Sequence, residues 1–473
     1  MFCVLAGWVS NFGTTRVTNE VTAPLIEVES LLILILQKEM LIISKYLNSL
    51  VVGIDVASEF SFATVLAPDG SQYRKPFKFS HTADGFTYFL EQIKKAEEEF
   101  STKPVLFMES TGVYHLTLFH FLKDNKFETF IINPLVTNCN KNKDIRKVKN
   151  DKNDSLSIAR LGKFEDIKVS SDSDINIFTL KLLVRDYYKL IDTRSTFKKK
   201  LSSSLCISFS GYQDVFSDTC GCVSINILKK YPSPQAVLKA PKQDIIDILL
   251  HSRKGLKWAE VKYSRLIKST KNAGFVSLSS PRLSISITTS ISLYEAIDLE
   301  AAKLLNEIKC FINSGEMPPA LCKNIVLLMS IPGIGYITAI TILAEIGGID
   351  KFVTPKQLVA FFGVDPAVNE SGKFKGDRVK MSKRGTRLGR RALYAAALAS
   401  IRTKRNGEAT NQVLLKYYQE NLKGKKAKVA LVAIMHKLIN YLFAVLRNQQ
   451  EYQVRDPKLH KKMFLENNNR QVA

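Results

Sequence analysis

One carboxylate stands inside an apolar run near the beginning of the chain. The run Leu50–Ala57 (LVVGIDVA) is rich in β-branched residues, and Asp55 is its one charged side chain. A short apolar run of this composition predicts a buried strand. An ionised carboxylate in a buried strand is costly unless a positive charge compensates it. We therefore expect Asp55 to face a cation, and a metal ion is the simplest candidate.

Three later carboxylates can be placed so that they share this cation. Val105–Met108 predicts a second buried strand, and Glu109 follows it directly. Asp151 and Asp154 are three residues apart on a predicted helix and therefore lie on one face of it. Four such oxygen ligands suit one or two Mg²⁺ ions, which can orient a phosphodiester and stabilise charge on its attacking and leaving oxygens. Taken alone, Glu109 and Asp151 also fit as helix caps, but the four together favour a metal site.

The elements that must position these carboxylates follow the order of the ribonuclease H-like fold. Three strands, at 50–57, 60–67 and 73–79, are joined tightly enough to form an antiparallel meander. Helices and strands then alternate: a helix to about 100, a strand at 105–109, a helix through 122, a strand at 127–132 and a helix at 151–161. A mixed sheet of this kind needs helices on both faces, and the alternation supplies them.

The rest of the chain predicts helices. We expect an irregular segment at 217–233, a hairpin at 331–335, a charged glycine-bearing loop at 363–381, and helices that include 174–216, 293–312, 336–346, 355–362, 384–402, 409–421 and 425–447. The predicted organisation is a poorly ordered extension (1–47), an α/β catalytic domain (48–174), a helical spacer (175–320), an all-α C-terminal domain (321–455) and a disordered tail (456–473). Coiled-coil self-association of the spacer stays open, because its heptads are too short to establish it.

Composition predicts the partner and the compartment. The chain carries 68 Lys and Arg against 44 Asp and Glu, a formal charge of +24, which favours a polyanionic partner such as nucleic acid. Its seven cysteines lack paired metal-ligand spacing and are interpreted as reduced thiols of a cytoplasmic protein. The apolar stretch Leu31–Leu36 is too short to span a membrane.

Basic residues are concentrated in the C-terminal region. Nine Lys or Arg lie between residues 371 and 391, against the single acid Asp377. We interpret this segment as a surface that follows nucleic-acid phosphates, with a strongly salt-dependent affinity. Its proposed contacts are Lys373, Lys375, Arg378, Lys380, Lys383, Arg384, Arg387 and Arg391, the last three on one side of a predicted helix. Gly333 and Gly335 resemble a helix-hairpin-helix tip that would admit a phosphate to the backbone, although a plain helical turn fits as well.

Three segments resemble the signatures of the DEDD transposases of insertion sequences, the Piv/MooV-like or IS110 family. They are Gly53–Ser58 (GIDVAS), Met108–Tyr114 (MESTGVY) and Asn150–Ser155 (NDKNDS), and the resemblance extends from about residue 50 to about residue 450. It implies a RuvC-like domain, a helical spacer and a C-terminal transposase domain, with Asp55, Glu109, Asp151 and Asp154 as the metal-binding tetrad. Asn150 and Ser155 stand where Thr and Ala are usual in the family, but neither supplies a metal ligand.

The resemblance also implies partners and a nucleophile. Family members are DNA recombinases of the bacterial or archaeal cytoplasm and nucleoid, guided by a bridge RNA, and we expect a dimer or tetramer that acts on element ends and target DNA. The segment around residues 363–385 resembles the part of the family that holds a serine nucleophile, and Ser371 matches best. Ser382 competes for this role, although it also fits as the N-cap of the following helix. A serine hydroxyl is a weak nucleophile unless a metal or a base activates it, and the tetrad could do so if the two domains meet.

Two other functions stay open. The same fold could serve a Mg²⁺-dependent nuclease resembling a Holliday-junction resolvase, with water as the nucleophile, and that enzyme would form no covalent adduct with DNA. A basic protein that binds nucleic acid without catalysis would show no dependence on divalent ions. The four carboxylates at matching places argue against this last function.

Overall fold

The computed structural model describes most of the chain after residue 43. The described residues are 44–109, 114–132, 134, 136–137, 151–165, 175–252, 254–278, 280, 282–367, 370–371, 374–375 and 380–454, with the backbone alone for 151–152, 370–371 and 374–375. They divide into two compact units, one before residue 173 and one from residue 173 onward. The boundaries of the predicted spacer and C-terminal domain within the second unit stay predictions.

The first unit is a mixed five-stranded sheet covered by helices. Its elements are β1 (Val51–Val56), β2 (Phe60–Leu66), β3 (Phe77–Ser80), α1 (Ala83–Phe100), β4 (Val105–Glu109), α2 (Tyr114–Asp124), β5 (Glu128–Ile132) and α3 (Asp151–Phe164). The strand order is β3-β2-β1-β4-β5. The first three strands pair antiparallel, and β1, β4 and β5 are parallel. The predicted ribonuclease H-like fold class, with its meander and alternating elements, is confirmed.

The third strand is shorter than predicted. It begins at Phe77, whereas Gln72 makes only an isolated bridge with Leu66. Pro76 separates the two, and a proline has no backbone N–H to donate to a neighbouring strand. The meander therefore keeps its topology but loses the first half of the third strand.

The two faces of the sheet carry different cores. Even-numbered residues of β1 face α1 and α2, where Ile54 shares a buried cluster with Phe89 and Leu118. Odd-numbered residues of β1 face α3, where Val51 shares a cluster with Ile158. This alternation follows from the two-residue repeat of a strand, and it decides which residues of β1 and β4 can meet α3.

The fold begins slightly before the predicted domain boundary at residue 48. The Ser44 hydroxyl donates a hydrogen bond to the carbonyl of Gly162, with an O···O distance of 3.2 Å. The ring of Tyr46 packs edge-on against Phe107, with 5.4 Å between centroids. Residues 44–47 are thus part of the first unit, whereas the rest of the predicted extension and the predicted tail lie outside the described residues.

In the part of the second unit that the structure describes, the regular elements are helices apart from one short hairpin. Its helices are α4 (Ile175–Ser208), α5 (Tyr212–Val215), α6 (Cys222–Lys230), α7 (Pro234–Lys239), α8 (Lys242–Leu250), α9 (Leu256–Val276), α10 (Leu283–Asn313), α11 (Pro319–Met329), α12 (Tyr336–Ile346), a 3₁₀ turn (Ile349–Lys351), α13 (Pro355–Phe362), α14 (Arg387–Ser400), α15 (Gln412–Asn421) and α16 (Ala427–Asn448). The hairpin consists of β6 (Glu370–Ser371) and β7 (Phe374–Lys375).

Two buried cores lie in this unit, and the long helices α4 and α10 pack along one another and contribute to both. The first core joins the beginning of α4 and the end of α10 to α11–α16. The second joins the end of α4 and the beginning of α10 to α5–α9. The segments between residues 209 and 282 thus form a small helical body that shares the second core with the end of α4 and the beginning of α10.

The prediction that residues 217–233 are irregular is wrong. This segment contains α6, which begins after Gly221 and buries Ile225, Ile227 and Leu228 in the second core. The turn-like pair Cys220-Gly221 precedes the helix directly, and the helix has only nine residues in which a helical repeat could be detected. Tertiary packing, rather than local propensity, stabilises a helix this short.

Helix α16 is long and apolar enough to cross a bilayer, and no other described helix is. Its residues Leu438, Ile439 and Leu442 are fully buried in the first core. An apolar helix that is surrounded by other helices is a usual feature of a large helical core. Core packing therefore accounts for its composition.

A buried ion pair connects α4 to α12. Glu345 is 3% exposed and accepts two hydrogen bonds from Arg185, at 2.9 and 3.1 Å, while the Lys181 ammonium lies 3.7 Å away. Burial alone would raise the pKa of Glu345, but the hydrogen bond from Arg185 and the two positive charges outweigh it and hold the pKa below its ordinary value. The ionised carboxylate is therefore favoured in the folded protein.

Glu345→Gln is expected to lower the free energy of unfolding by about 2 kcal/mol at neutral pH, because it removes hydrogen bonds to charged groups. The pKa of Glu345 is lower in the folded than in the unfolded protein, so its contribution is complete above the ordinary value of 4.5 and is lost as the pH falls through the folded value. Urea unfolding of both proteins between pH 3 and pH 7 measures this. Glu300→Gln, which removes an exposed pair with Lys303, is the control and should change stability by less than about 0.5 kcal/mol. A difference in the free energy of unfolding between the two proteins that stays the same at acidic pH would contradict the role of the ionised Glu345.

Candidate active site

The two strand carboxylates lie at the same end of the sheet. β1 and β4 are adjacent and parallel, and Ile54 pairs with Met108, so Asp55 and Glu109 are the next residues along each strand. Both fall at odd-numbered positions, which face α3, as Val51 and Phe107 do. Asp55 is partly exposed and Glu109 is buried, at 6% exposure. The register therefore brings these two predicted residues side by side on one face of the sheet.

Gly53 allows α3 to cross this face closely. A Cβ atom at Gly53 would lie 2.3 Å from the backbone nitrogen of Ala159 and 2.3 Å from the carbonyl oxygen of Ser155. Only a residue without a side chain fits such a contact, because real Cβ atoms do not approach backbone atoms this closely. The glycine two residues before Asp55 thus fixes the distance between the helix and the strand.

Polar contacts fix the position of α3 along the sheet. The Thr64 and Ser155 hydroxyls are hydrogen-bonded at 2.7 Å in the interior, where Thr64 is the partner of Gly53 on β2. At the other end of the helix, the fully buried Lys163 donates to the carbonyls of Ser49 and Pro68, at 2.7 and 3.1 Å. Burial lowers the pKa of Lys163. Sequence reasoning missed these contacts, and the buried lysine carries no local signal that could have revealed it.

The direction of α3 follows from these contacts. Lys163 contacts Ser49, two residues before β1, and Ser155 lies by Gly53 inside β1, so the helix runs opposite to the strand. Its first turn, which contains Asp151 and Asp154, therefore points toward the end of the sheet at which Asp55 and Glu109 lie.

The metal tetrad itself stays a prediction. Among the side chains that the structure describes, no group of three or more His, Cys, Asp or Glu is close enough together to hold a metal ion. The side chain of Asp151 lies outside the described residues, as do residues 110–113, which follow Glu109. The described geometry thus includes three of the four carboxylates, Asp55 and Glu109 on adjacent strands and Asp154 on the helix that leads toward them, and it does not bring these three together around one ion.

Gly53→Ala is expected to lower the free energy of unfolding by about 3 kcal/mol, since the added methyl group would force the α3 backbone away from β1. Thermal or urea unfolding measures this change. The control is Gly274→Ala in α9, where an added Cβ meets nothing within 4 Å and where alanine should stabilise the helix by about 1 kcal/mol. Equal effects of the two substitutions would show that α3 does not approach β1 as described.

The two candidate serines lie in different settings. Ser371 is in β6, where its backbone pairs with Phe374 of β7, and its side chain lies outside the description. The Ser382 hydroxyl is hydrogen-bonded to the Asp365 carboxylate at 2.5 Å. The alternative role of Ser382 as an N-cap is wrong, because Thr386 caps α14 by accepting from the N–H of Gly389. The assignment of the nucleophile to Ser371 is untested and stays a prediction.

The predicted basic surface is only partly free. Lys380, Lys383, Arg384 and Arg387 are exposed. Lys373 and Arg378 lie outside the described residues, and the side chain of Lys375 does so too. The prediction that Arg384 lies on one helix face with Arg387 is wrong, because α14 begins only at Arg387.

Arg391 is engaged within the second unit. Its guanidinium donates to Asp192 at 2.7 Å and lies 4.7 Å from the centre of the Tyr188 ring. An arginine that both pairs with a carboxylate and stacks on an aromatic ring stabilises the packing of the elements that carry these groups. The structure therefore favours a role for Arg391 in holding α14 against α4, rather than in free contact with phosphates.

The two hairpin glycines also differ. Gly333 has φ +106°, and a Cβ there would lie 2.1 Å from the Ser400 hydroxyl, so this glycine allows the hairpin to pack on α14. Gly335 is exposed with nothing within 4 Å of its Cβ position, and it directly precedes α12. The open approach to this helix N-terminus fits phosphate binding better at Gly335 than at Gly333.

These features define a class of protein: a ribonuclease H-like sheet with acidic residues at the ends of adjacent central strands, followed by a helical region with an exposed basic segment. Two family models match the chain. A transposase model for the DEDD proteins of IS110 matches residues 52–209, and the model of the transposase IS116/IS110/IS902 family matches residues 326–414. Together these segments make up just over half of the chain, and the chain belongs to the IS110 family of transposases.

Several curated proteins are similar to this chain. It is 34% identical over 125 residues to the transposase for insertion sequence element IS1111A of Coxiella burnetii, covering 26% of this chain and 33% of that protein. It is 24% identical over 232 residues to the insertion element IS110 uncharacterized 43.6 kDa protein of Streptomyces coelicolor, covering 49% and 53%. It is 29% identical over 142 residues to the pilin gene-inverting protein of Moraxella bovis, covering 30% and 42%. The chain thus matches between about a third and a half of the length of these relatives.

Proposed function

We propose that this protein is a DNA transposase that cuts and rejoins phosphodiester strands at the ends of a mobile element. Membership of the IS110 family supports this function, as do the names of its relatives, one a transposase and one a pilin gene-inverting protein. The observation that carries the proposal is the placement of Asp55 and Glu109 beside each other at the ends of adjacent parallel strands, on the face that α3 covers.

The donor set fits a hard divalent cation. Asp55, Glu109, Asp151 and Asp154 would all contribute carboxylate oxygens, which Mg²⁺ prefers over nitrogen and sulfur ligands. Once bound, one or two such ions would stabilise the negative charge that develops on the phosphate oxygens. The chain's own contribution is to hold two carboxylates on rigid strands and to bring two more on the first turn of a helix whose position Gly53 and the Thr64–Ser155 hydrogen bond fix.

Ser371 is the proposed nucleophile. Its hydroxyl oxygen would attack the scissile phosphorus, forming a phosphoserine bond while the phosphorus–oxygen bond of the DNA strand breaks and the leaving oxygen takes a proton. A second strand's hydroxyl would then attack the same phosphorus and release the serine. In each of the two steps one phosphoester bond forms as another breaks, so strands can be rejoined without a further energy source.

Exposed basic residues would hold the substrate. Lys380, Lys383, Arg384 and Arg387 precede or begin α14, and Gly335 precedes α12. Positive side chains and helix N-terminal amides both bind phosphate oxygens without reading base sequence. Binding of phosphates without regard to base sequence is consistent with the choice of target by a guiding RNA. We propose that a bridge RNA supplies this guidance. We also propose that the protein acts as a dimer or tetramer in the cytoplasm.

A donor–target plasmid assay tests this function. Cells would carry the protein, the element with its flanking non-coding DNA and a target plasmid, and recombinant junctions would be amplified and sequenced. The proposal expects new junctions in which element ends are joined to target DNA. Broken DNA without joined products would instead indicate a hydrolytic nuclease, and unchanged DNA in the presence of expressed protein would contradict catalysis.

A further inference from the structure

Helix α9 carries a row of exposed positive charges that the proposed site does not use. Four exposed residues form this row, which we call the α9 basic row: Lys257, Arg265, Lys268 and Lys271. At 100° per residue their side chains lie within about 120° of one another around the helix, and at 1.5 Å per residue they span about 21 Å. Glu260 is the one acidic residue of α9.

These charges lack the partners that neighbouring lysines have. In the same helical body, Lys229 pairs with Glu295 at 2.9 Å and Lys230 with Asp244 at 2.7 Å. Lys198 at the end of α4 pairs with Asp218 at 2.8 Å. Within the described residues, no ion pair involves any member of the α9 basic row. The positive charges of this face are therefore available to attract a negatively charged partner from outside the unit.

The helix is firmly held by its opposite side. Ala259, Leu266 and Ala273 are buried in the second core, and the ammonium of Lys262 donates to the carbonyl of Val215. A surface groove lies along the outer face, lined by Lys257, Glu260, Val261, Ser264 and Arg265, so that one carboxylate lies beside two members of the row. The row is thus a fixed array of charges on a packed helix, rather than a set of charges on a loop.

The helical body lies outside both matched family segments, which end at residue 209 and resume at residue 326. Nothing in those two segments assigns a role to α9. The net positive charge, the spacing and the lack of ion pairs among the described residues instead match a polyanion with regularly repeated charges. Duplex DNA carries about one negative charge per 1.7 Å of its axis, so a row of about 21 Å spans a length of duplex that carries about a dozen phosphates, some of which face the row.

We propose that the exposed face of α9 binds the phosphate backbone of duplex DNA, as a second contact away from the basic segment around α14. The choice of DNA over another polyanion rests on the proposed transposase function. The contact is sequence-independent, because lysine ammonium groups on a helix surface meet phosphates as point charges. Its effect is to raise affinity and to hold a longer stretch of DNA than the catalytic site alone requires.

The full-length triple variant Lys257→Gln, Lys268→Gln, Lys271→Gln tests this proposal. Binding of a fluorescent 30-base-pair DNA duplex is measured by anisotropy at several salt concentrations. We expect an affinity at least about tenfold lower than that of the wild type near 0.1 M salt, and a slope of log K against log salt that is smaller by about 3. The matched control Lys303→Gln, Lys309→Gln, Lys323→Gln removes the same charge from other exposed positions and should leave both quantities nearly unchanged.

Three further results decide the outcome. The corresponding triple arginine variant should bind like the wild type, because it keeps the charges. Unchanged DNA binding by the glutamine variant would overturn the α9 proposal alone, and so would a loss confined to an RNA duplex of the same sequence, since that result assigns the face to RNA. Failure of the wild-type protein itself to bind duplex DNA would instead contradict the proposed function.

Discussion

Asp55→Asn is expected to reduce DNA strand cleavage at least about 10³-fold, a loss of about 4 kcal/mol of transition-state stabilisation. An amide in place of this carboxylate removes one negative charge and one strong ligand from the proposed metal site, while the side chain keeps its size. Glu109→Gln should act in the same way, because Glu109 occupies the adjacent strand at the same level. Cleavage of labelled element-end DNA in Mg²⁺ measures both.

Metal-dependent stability separates a ligand from a residue that only supports the fold. Divalent ions should raise the melting temperature of the wild-type protein, and this increase should shrink or vanish in Asp55→Asn. Without metal, the variant should be at least as stable as the wild type, since it removes a negative charge that lies beside Glu109. Glu98→Gln, on the exposed side of α1, is the control and should change neither quantity. Normal cleavage by both site variants would reject the tetrad.

Ser371→Ala is expected to abolish the covalent protein–DNA adduct and to lower recombination by at least about 10³-fold, because no other hydroxyl can take the place of a removed nucleophile without rebuilding the site. The adduct is detected as labelled DNA that stays with the protein after denaturation. DNA binding should be nearly unchanged, since one neutral hydroxyl group contributes little to phosphate affinity beside the basic side chains.

Ser382→Ala is the matched comparison. It removes the hydrogen bond to Asp365 and should cost about 1 kcal/mol of stability while the adduct still forms. Loss of the adduct in Ser382→Ala and its survival in Ser371→Ala would transfer the role of nucleophile to Ser382. Cutting of DNA by the wild type without any adduct would indicate that water is the nucleophile, as in a resolvase-like nuclease.

The centre of the sheet could be predicted from sequence because β1 and β4 lie in largely apolar runs. Ser49 and Ser58 bound the run that contains β1, and Pro104 and Glu109 bound the apolar part of β4. The parallel pairing of these strands follows once a meander precedes an alternating pattern. Asp55 and Glu109 are then expected to lie side by side, because each lies near the end of one of two adjacent parallel strands. The same reasoning overextended the third strand, where Pro76 removes a backbone donor.

Contacts that depend on how a helix is rotated about its own axis against a neighbouring element could not be predicted in this way. Thr64 and Ser155 are 91 residues apart, and Arg391 and Asp192 are 199 residues apart. Each pair requires a definite register between two elements, which no local pattern contains. Gly53 illustrates the intermediate case, because a glycine inside a strand signals a close approach without revealing that α3 is the element that approaches.

Anomalous diffraction from crystals of the full-length protein grown with Mn²⁺, a cation that carboxylate sites bind in place of Mg²⁺, tests the proposed catalytic centre most directly. We predict one or two manganese peaks bounded by carboxylate oxygens of Asp55, Glu109, Asp151 and Asp154, and their disappearance in Asp55→Asn. Ordered side chains at all four positions with no peak between them, or with manganese bound elsewhere, would contradict the account.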